Sequence, residues 1–206
     1  MPNDEFRSRR EEYADATWQA VVTAARELFG EAGYSRTTVQ QIARRARISP
    51  ATVYAQCGGK KGLLKTLMDE WTASPLVRDI IEACASAGTA TEKLHALADG
   101  YLAIYEASGD IIRIVTDATV TTADAAEFLA IANDRHVQAL VEIVAGIRKT
   151  GDLARGLSDE DAARIIYFHF RYEQFTLAAD DFGWGDARAL DWIRERVKIA
   201  ILDASA

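Results

Sequence analysis

Residues 34–65 read YSRTTVQQIARRARISPATVYAQCGGKKGLLK, and this stretch decides which fold the sequence predicts. A first short helix begins at Thr37 or Thr38, because either hydroxyl stands three residues before a glutamine that completes a capping box. A second helix begins at Ser49, which caps it, with Pro50 in the first helical position, and a pair of glycines ends it. Two short helices separated by a tight break predict a helix-turn-helix.

The same stretch is strongly basic. Residues 34–68 contain seven Lys and Arg side chains and no Asp or Glu, whereas the whole chain of 206 residues has a formal net charge of −7. Residues 1–71 carry a net charge of +2, and residues 72–206 carry −9. A basic segment on an acidic protein indicates a polyanionic partner, and double-stranded DNA is the first candidate. A plain solvated face is the alternative.

The segment from Trp18 to Leu67 resembles the DNA-binding region of TetR-family transcriptional regulators. The resemblance rests on an aromatic residue in the first helix, Gly-Tyr, Thr-Thr, Ile-Ala, a Ser-x-x-Thr-x-Tyr recognition helix, and Lys and Leu at the start of the next helix. In this chain the matching positions are Phe29, Gly33, Tyr34, Thr37, Thr38, Ile42, Ala43, Ser49, Thr52, Tyr54, Lys60 and Leu63.

Three positions depart from the family's usual pattern. Arg47 stands where the turn usually has Gly, so either the turn differs or a left-handed backbone there costs about 1 kcal/mol. Cys57 replaces a usual Phe, and Lys61 replaces a usual acid, which raises the local positive potential. Cys57 is either a small buried apolar residue or, with its pKa lowered by basic neighbours, a redox switch.

The composition favours an all-α protein, since 49% of the residues are apolar, only three are prolines, and no long stretch alternates with a period of two. We expect an N-terminal three-helix DNA-binding domain and a larger C-terminal helical domain for ligand binding and dimerisation, with about nine helices in all. The expected boundaries are an N-terminal arm at residues 1–14, the DNA-binding domain at 15–60 and the regulatory domain at 61–206.

The periodicity predicts the helices in more detail. Their approximate ranges are 15–32, 60–73, 76–87, 91–107, 110–116, 123–149 and 158–181, followed by a last helix capped by Asp186. The arm carries Arg7, Arg9 and Arg10, which either reach DNA or belong to a disordered tail. No signal sequence or membrane-spanning run is present, and two cysteines without metal-ligand spacing suit a reducing compartment, so we expect a soluble cytoplasmic protein.

The recognition helix supplies the candidate DNA contacts. Residues near its N-terminus enter the major groove first, and Gln56 has the only amide among them that can bind adenine through two hydrogen bonds. The candidates for base edges are Pro50, Ala51, Thr52, Ala55 and Gln56, with Gln40 from the preceding helix. The resemblance implies phosphate contacts from Thr38, Tyr54 and Lys60, and Ser49, Arg44, Arg45 and Arg47 are plausible additions.

The C-terminal part supplies candidates for an effector site and for a dimer interface. The resemblance implies a pocket among its helices and a dimer in which the last two helices form a four-helix bundle with their symmetry mates. The candidate pocket residues, which alternatively fill a closed core, are Tyr101, Tyr105, His136, His169, Tyr172 and Phe175. A seam of nearly 3.5-residue period on the last helix predicts the interface residues Leu190, Ile193, Val197 and Ile201.

Three functions follow as hypotheses. The first is a ligand-responsive repressor that binds a palindromic operator as a homodimer and is released by a small molecule. The second is a constitutive dimeric DNA-binding protein without a sensor pocket. The third is an enzyme with a vestigial helix-turn-helix, although no catalytic constellation is found, and Gly58-Gly59-Lys60 lacks the leading glycine of a phosphate-binding loop. We expect no cofactor, no metal and no catalytic residue.

Overall fold

The computed structural model describes residues 9–203, with side chains from residue 11. Over these residues the chain is helical, apart from one isolated antiparallel bridge between Leu153 and Leu202. The expected all-α class is confirmed. Arg7 lies outside the described residues, as do the side chains of Arg9 and Arg10, so the expected role of the arm stays a prediction.

Nine helices of seven residues or more follow one another over the described residues, together with a short helix and one π-helical turn, Leu177–Asp181. In chain order they are α1 Arg9–Ala32, α2 Val39–Arg45, α3 Pro50–Cys57, α4 Gly59–Thr72, α5 Pro75–Ser86, α6 Ala90–Thr119, α7 Ala123–Arg148, α8 Asp159–His169, α9 Tyr172–Thr176 and α10 Asp186–Ile201. No helix among the described residues is long and apolar enough to cross a membrane.

The chain divides into two compact units. The head unit comprises Met1–Glu70 with Asp110–Leu129, and the body unit comprises Trp71–Gly109 with Ala130–Ala206. Helices α4, α6 and α7 therefore contribute residues to both units. The functional boundaries expected at residues 14 and 60 stay predictions.

The head unit is built on α1, α2 and α3, which pack on one another through small and branched apolar side chains. Val21, Ile42, Val53 and Leu63 are fully buried. Burying each such side chain contributes about 1.5–3 kcal/mol, which is more than the intrinsic stability of helices this short. α1 begins six residues earlier than the expected Asp15, and its first turn carries two glutamates, which suit the positive end of the helix dipole.

The start of α2 resolves which threonine forms the capping box. The backbone N–H of Gln41 donates to the Thr38 hydroxyl at 3.2 Å, and the Thr38 N–H donates to the Gln41 amide oxygen at 2.7 Å. Thr37 is buried instead, with its hydroxyl 3.1 Å from the Leu28 carbonyl and 2.9 Å from the Gly33 carbonyl. Two adjacent threonines thus have different roles, because one caps α2 and the other fastens the end of α1.

The turn between α2 and α3 contains a residue with a left-handed backbone conformation, and this residue is Arg47 and not a glycine. Arg47 has a φ of 57° and is the only non-glycine residue with positive φ over the described part of the chain. The N–H of Ile48 donates to the Ala43 carbonyl at 2.9 Å, and that of Arg47 to the Arg44 carbonyl at 3.2 Å. This pair of bonds is a Schellman motif, which satisfies the last carbonyls of α2 and compensates for the conformational cost at Arg47.

The predicted break between residues 107 and 110 is wrong. The ranges 91–107 and 110–116 form the single helix α6, because Gly109 continues the helix rather than breaking it. A Cβ at Gly109 would lie 2.6 Å from the Tyr172 hydroxyl, so this glycine leaves room for a neighbouring ring instead of ending a helix.

The predicted helix at 158–181 is broken into α8, α9 and the π-helical turn. Arg171 is extended, with φ −69° and ψ 142°, and it is the N-terminal cap residue of α9. The Tyr105 hydroxyl donates a short hydrogen bond to the Phe170 carbonyl, so this carbonyl is satisfied from outside the helix. At α10, Gly185 is the cap residue and Asp186 is the first helical residue, so the helix begins one residue earlier than predicted.

Candidate DNA interface and ligand site

The recognition helix α3 has one buried face and one exposed face. Val53 and Cys57 are buried within the head unit. The Ser49 hydroxyl accepts from the Thr52 N–H at 3.1 Å and lies 2.8 Å from the Thr52 hydroxyl, so the cap is held by two contacts. Of the predicted DNA-binding residues, the exposed ones are Thr38, Gln40, Arg44, Arg45, Arg47, Ser49, Pro50, Ala51, Tyr54, Ala55 and Gln56, while Thr52 and Lys60 are half-buried. We call this set the recognition surface.

The arginines of the recognition surface differ in their partners. Arg44 and Arg47 are exposed and form no ion pair with any described residue. Arg45 instead contacts the carboxylates of Glu27 at 2.8 Å and Glu31 at 3.0 Å, which raises the pKa of its guanidinium and lowers the pKa of Glu31. The structure therefore ties Arg45 to α1, and a DNA phosphate would have to compete with two carboxylates for it.

Lys60 lies in the first turn of α4 beside two features of the head unit. Its ammonium is 4.3 Å from the centre of the Tyr34 ring, and it donates to the Ser35 carbonyl at 3.4 Å. Partial burial lowers the pKa of this lysine. A Cβ at Gly59 would lie 2.8 Å from the Tyr54 ring, so the glycine allows this aromatic residue to cover the start of α4. Tyr54 is nevertheless 59% exposed, and its hydroxyl remains accessible to a phosphate.

Two ion pairs of the head unit were missed by the sequence analysis. Lys61, expected to raise the local positive potential, lies 2.8 Å from Asp124, which offsets its charge. Arg26 donates two hydrogen bonds of 2.6 Å to Asp110, and this contact lowers the pKa of that carboxyl. The partners stand 63 and 84 positions apart in the chain, so no local pattern identifies them.

Cys57 behaves as a packing residue. Its side chain is buried, and burial raises the pKa of the thiol. A raised pKa disfavours the thiolate that redox chemistry requires, so the structure favours the apolar interpretation over the switch.

Comparisons with known proteins agree with this geometry. Residues 21–67 match the model of the bacterial regulatory proteins of the tetR family, a range that contains α2, α3 and the whole recognition surface. Over this segment the chain is similar to tetR-family regulators. It is also 33% identical over 58 residues to the A-factor receptor protein of Streptomyces griseus, a match that covers 28% of this chain and about a fifth (21%) of that relative.

Solved structures of TetR-type fold cover nearly the whole chain. The SmeT–triclosan complex, SmeT being the repressor of a Stenotrophomonas maltophilia multidrug efflux pump, superposes with a TM-score of 0.76 at 18% identity over 92% of this chain and 93% of that one. NalD, the secondary repressor of a Pseudomonas aeruginosa efflux pump, superposes with a TM-score of 0.74 at 21% identity over 94% and 99%. At these identities the likeness establishes the fold.

The body unit brings together five of the six predicted ligand residues. Tyr101 stacks on Phe170 at a centroid distance of 4.6 Å, and Tyr105 lies 4.8 Å from Phe175. His136 contacts both Tyr101 and Tyr167. We call these residues the aromatic cluster, which consists of Tyr101, Tyr105, His136, Tyr167, Phe170, Tyr172 and Phe175.

His169, the sixth predicted ligand residue, has its ring contact outside the cluster. Its Nδ1 lies 2.8 Å from the Ile165 carbonyl, and its ring meets the edge of Phe168. Tyr167 and Phe170 are cluster members that the sequence analysis did not select for the ligand site. The signal that could have found them is their position at the end of α8, where Tyr167 precedes His169 by two residues and Phe170 follows it directly.

Two hydroxyls of the aromatic cluster have hydrogen-bond partners inside the cluster. The Tyr101 hydroxyl and His136 Nε2 share a hydrogen bond of 2.6 Å. Burial lowers the pKa of His136 to about 4 and raises the pKa of Tyr101, so both groups are neutral. Tyr105 donates to the Phe170 carbonyl. Stacked rings with paired polar tips resemble the closed core that was the alternative interpretation of these residues.

A cleft of about 540 Å³ lies elsewhere on the body unit, between α5, α6 and α7. Its lining includes Ile81, Cys84, Lys93, Glu142, Ile143 and Lys149, and none of the six predicted ligand residues. Among the described residues no group of three or more His, Cys, Asp or Glu is placed to hold a metal ion.

The four residues predicted for the dimer interface have their contacts inside the chain. Ile193, Val197 and Ile201 are at most 1% exposed and Leu190 is 5% exposed, since this face of α10 packs on α8 within the body unit. A side chain without accessible surface has none to bury against a partner, so this assignment of the seam is corrected. Apolar side chains of the same region that are exposed are Phe168, Leu177, Phe182, Trp192 and Ile199.

Proposed function

We propose that this protein is a cytoplasmic transcriptional repressor of the TetR family, which binds a palindromic operator as a homodimer and is released by a small molecule. The observation that carries the proposal is the exposed face of α3, flanked by Arg44, Arg47 and Lys60, none of which is held by a carboxylate among the described residues. Unpaired cations around a capped, exposed helix are what a DNA major groove and its phosphates require. Nothing in this arrangement calls for catalysis.

The relatives support the regulatory part of the proposal. SmeT and NalD are described as repressors of multidrug efflux pumps, SmeT forms a complex with triclosan, and the partial relative from Streptomyces is a receptor protein. Carried to this chain, these descriptions favour repression relieved by a small organic molecule.

The proposed division of labour on DNA follows from side-chain chemistry. Gln56 is exposed near the end of α3 and offers both a donor and an acceptor to adenine. Ala51 and Ala55 suit thymine methyl groups, and Tyr54 and Lys60 suit phosphates. Few side chains then contact bases, so the shape of the operator contributes to its recognition.

Operator selection from random duplexes, followed by binding of single variants, tests the proposal. Lys60→Ala and Tyr54→Ala are expected to weaken binding to all sequences alike, with a shallower salt dependence for Lys60→Ala. Gln56→Ala is expected to change the preference at one base-pair position by about 1–3 kcal/mol.

Lys198→Ala, a substitution on α10 in the body unit, is the matched control for loss of one lysine and is expected to leave DNA affinity unchanged. Equal binding of selected and random duplexes at every salt concentration would remove the proposal of a specific regulator. If Gln56→Ala lowered the affinity for all DNA sequences equally, this residue would contact the DNA backbone and not a base.

A homodimer is proposed through α8 and α10, on the exposed apolar side chains instead of the buried seam. Trp192 and Ile199 are 45% and 65% exposed on α10, and Phe168 is 57% exposed on α8. Apolar side chains gathered on two neighbouring helices indicate a surface that another protein covers. The resemblance to dimeric family members makes a second copy of this chain the natural partner.

A constitutive DNA-binding dimer is the second candidate. The packing of the aromatic cluster favours it, because the Tyr101 and Tyr105 hydroxyls already have hydrogen-bond partners within the cluster. The cleft beside α5 favours the ligand-responsive candidate. A screen for small molecules that release the selected operator distinguishes the two.

A further inference from the structure

The cleft of the body unit has the size and the mixed lining of a small-molecule site. Its volume of about 540 Å³ lies within the range of about 300–1,000 Å³ that such sites occupy. Ile81 and Ile143 supply apolar walls from α5 and α7, and Lys93 contributes a charge from α6.

Lys93 is an unusual residue because its charged side chain is only 6% exposed. Its ammonium donates to the Cys84 and Ala87 carbonyls, each at 2.7 Å, at the C-terminal end of α5. An ammonium has three N–H donors, so one remains after these two bonds. Among the described residues no carboxylate forms an ion pair with it. The carboxylate of Glu92 lies close enough for Lys93 to help lower its pKa, but it accepts from the N–H groups of Gly88 and Thr89 and not from the ammonium. A buried ammonium that no carboxylate contacts is costly unless another group neutralises it.

The position of the ammonium links it to the cleft. Nζ of Lys93 lies 3.9 Å from where a Cβ on Gly146 would stand, and Gly146 lines the cleft from α7. The ammonium therefore lies between the end of α5 and α7, beside two residues that line the cleft.

The charges around the cleft indicate the sign of its ligand. The C-terminal end of α5 carries a partial charge of about −0.5, which offsets only part of the charge of Lys93. Glu142 and Lys149 both line the cleft, are both exposed and have opposite charges, so they offset each other in solvent. The buried Lys93 leaves the interior of the cleft positive.

We propose that this cleft binds a small amphipathic organic anion, whose acidic group accepts a hydrogen bond from Lys93 and whose apolar part lies between Ile81 and Ile143. The site is separate from the aromatic cluster, from which the effector pocket was expected. The role of the cleft as the effector site rests on the proposed function. The binding of an anion to the cleft does not rest on it, and this binding is measured without DNA.

A pair of fluorescent probes tests the binding. The first is 8-anilinonaphthalene-1-sulfonate, and the second is N-phenyl-1-naphthylamine, which has the same rings without the sulfonate. We expect one sulfonate probe per chain, displaced by octanoate. Lys93→Met is expected to weaken binding of the sulfonate probe by about tenfold or more, because it removes a charge-assisted hydrogen bond. Its affinity for the neutral probe is expected to stay within about twofold of the wild-type value.

A second variant covers the case in which Lys93→Met fails to fold. Gly146→Leu keeps the bonds of Lys93 and fills the cleft from α7, where a Cβ makes only ordinary contacts. It is expected to block both probes while preserving the helical circular-dichroism spectrum and the melting temperature. Lys198→Met on α10, which does not line the cleft, is the charge control and is expected to leave both affinities unchanged.

Two results would overturn the proposal. Unchanged binding of the sulfonate probe to folded Gly146→Leu would place the probe elsewhere, for instance on the exposed aromatic residues of α8 and α10. Equal losses of both probes in folded Lys93→Met would make the cleft an apolar site without anion preference. Octanoate binding that left operator affinity unchanged would contradict the proposed ligand response and leave the anion site standing.

Discussion

At the scale of single residues, burial in the aromatic cluster changes the ionisation of His136. Its pKa is lowered to about 4, against about 6.5 in an unfolded chain. The unfolded chain therefore binds the proton more readily, so the stability from the neutral imidazole is complete above about pH 6.5 and is lost as the pH falls toward 4. The difference corresponds to about 3 kcal/mol.

The first prediction concerns this pH dependence. We expect urea unfolding of the wild type to lose about 3 kcal/mol more between pH 7 and pH 4 than that of His136→Gln, which keeps an acceptor for Tyr101 but does not titrate. His95→Gln, at an exposed position, is the control and should follow the wild type. Parallel pH profiles for the wild type and His136→Gln would contradict the neutral, buried imidazole.

The backbone conformation of Arg47 gives a second prediction at the scale of single residues. Because its φ is 57°, Arg47→Gly removes a left-handed strain and is expected to raise the free energy of unfolding by about 1 kcal/mol. Arg47→Ala keeps the strain and should change stability by less than about 0.5 kcal/mol. Both variants lose one cation, so both should weaken operator binding equally. A stabilised Arg47→Ala would show that side-chain contacts, not backbone conformation, determine stability at this position.

At the scale of elements, the break between α8 and α9 lies at a carbonyl that accepts a hydrogen bond from α6. The Phe170 residue is buried, and its carbonyl accepts from the Tyr105 hydroxyl. Helix propensity alone would continue α8, and the apolar periodicity through residues 158–181 indicates the same. A hydrogen bond from a distant helix satisfies the carbonyl and permits Arg171 to adopt an extended backbone.

Tyr105→Phe is the corresponding prediction. Removing the hydroxyl leaves a buried carbonyl without its donor and is expected to lower the free energy of unfolding by about 1–3 kcal/mol in urea titrations. Tyr167→Phe is the matched control, since that hydroxyl is half-exposed and accepts only a long bond from Arg171 at 3.4 Å. If Tyr105→Phe lowered the free energy of unfolding no more than the control does, the Phe170 carbonyl would have found another donor.

At the scale of the whole molecule, the charge division of the sequence corresponds to two kinds of surface. The head unit presents exposed cations around α3, and the body unit presents exposed apolar side chains on α8 and α10. An operator with two half-sites requires two heads, so the apolar surface and the recognition surface serve one function in the proposed dimer.

The dimer prediction uses the corrected residues. Trp192→Asp and Ile199→Asp are expected to give folded monomers in sedimentation, because each places a carboxylate at an apolar contact. Val120→Asp is the control, at a position 86% exposed in the head unit, and should leave a dimer. Val197→Asp is expected to unfold the chain instead, since this residue is fully buried. Dimers that persist in both Trp192→Asp and Ile199→Asp would move the interface to another surface.

Local sequence determined the helix-turn-helix almost completely. The caps at Thr38 and Ser49, the first-turn Pro50 and the glycine after α3 each act within four residues, so a linear pattern contains the whole interaction. The exposed face of α3 follows from the same short-range geometry, because the positions of Val53 and Cys57 fix which side faces the core. The family resemblance rests on these local features as well.

Only the tertiary structure decided the long-range pairings. The ties of Arg45 to α1, of Arg26 to Asp110 and of Tyr105 to Phe170 join residues that are distant in the chain, and none of them has a fixed spacing. The apolar seam of α10 could face its own chain or a partner with equal periodicity, and its burial on α8 settled which. A pattern states that a face is buried, whereas the fold determines what buries it.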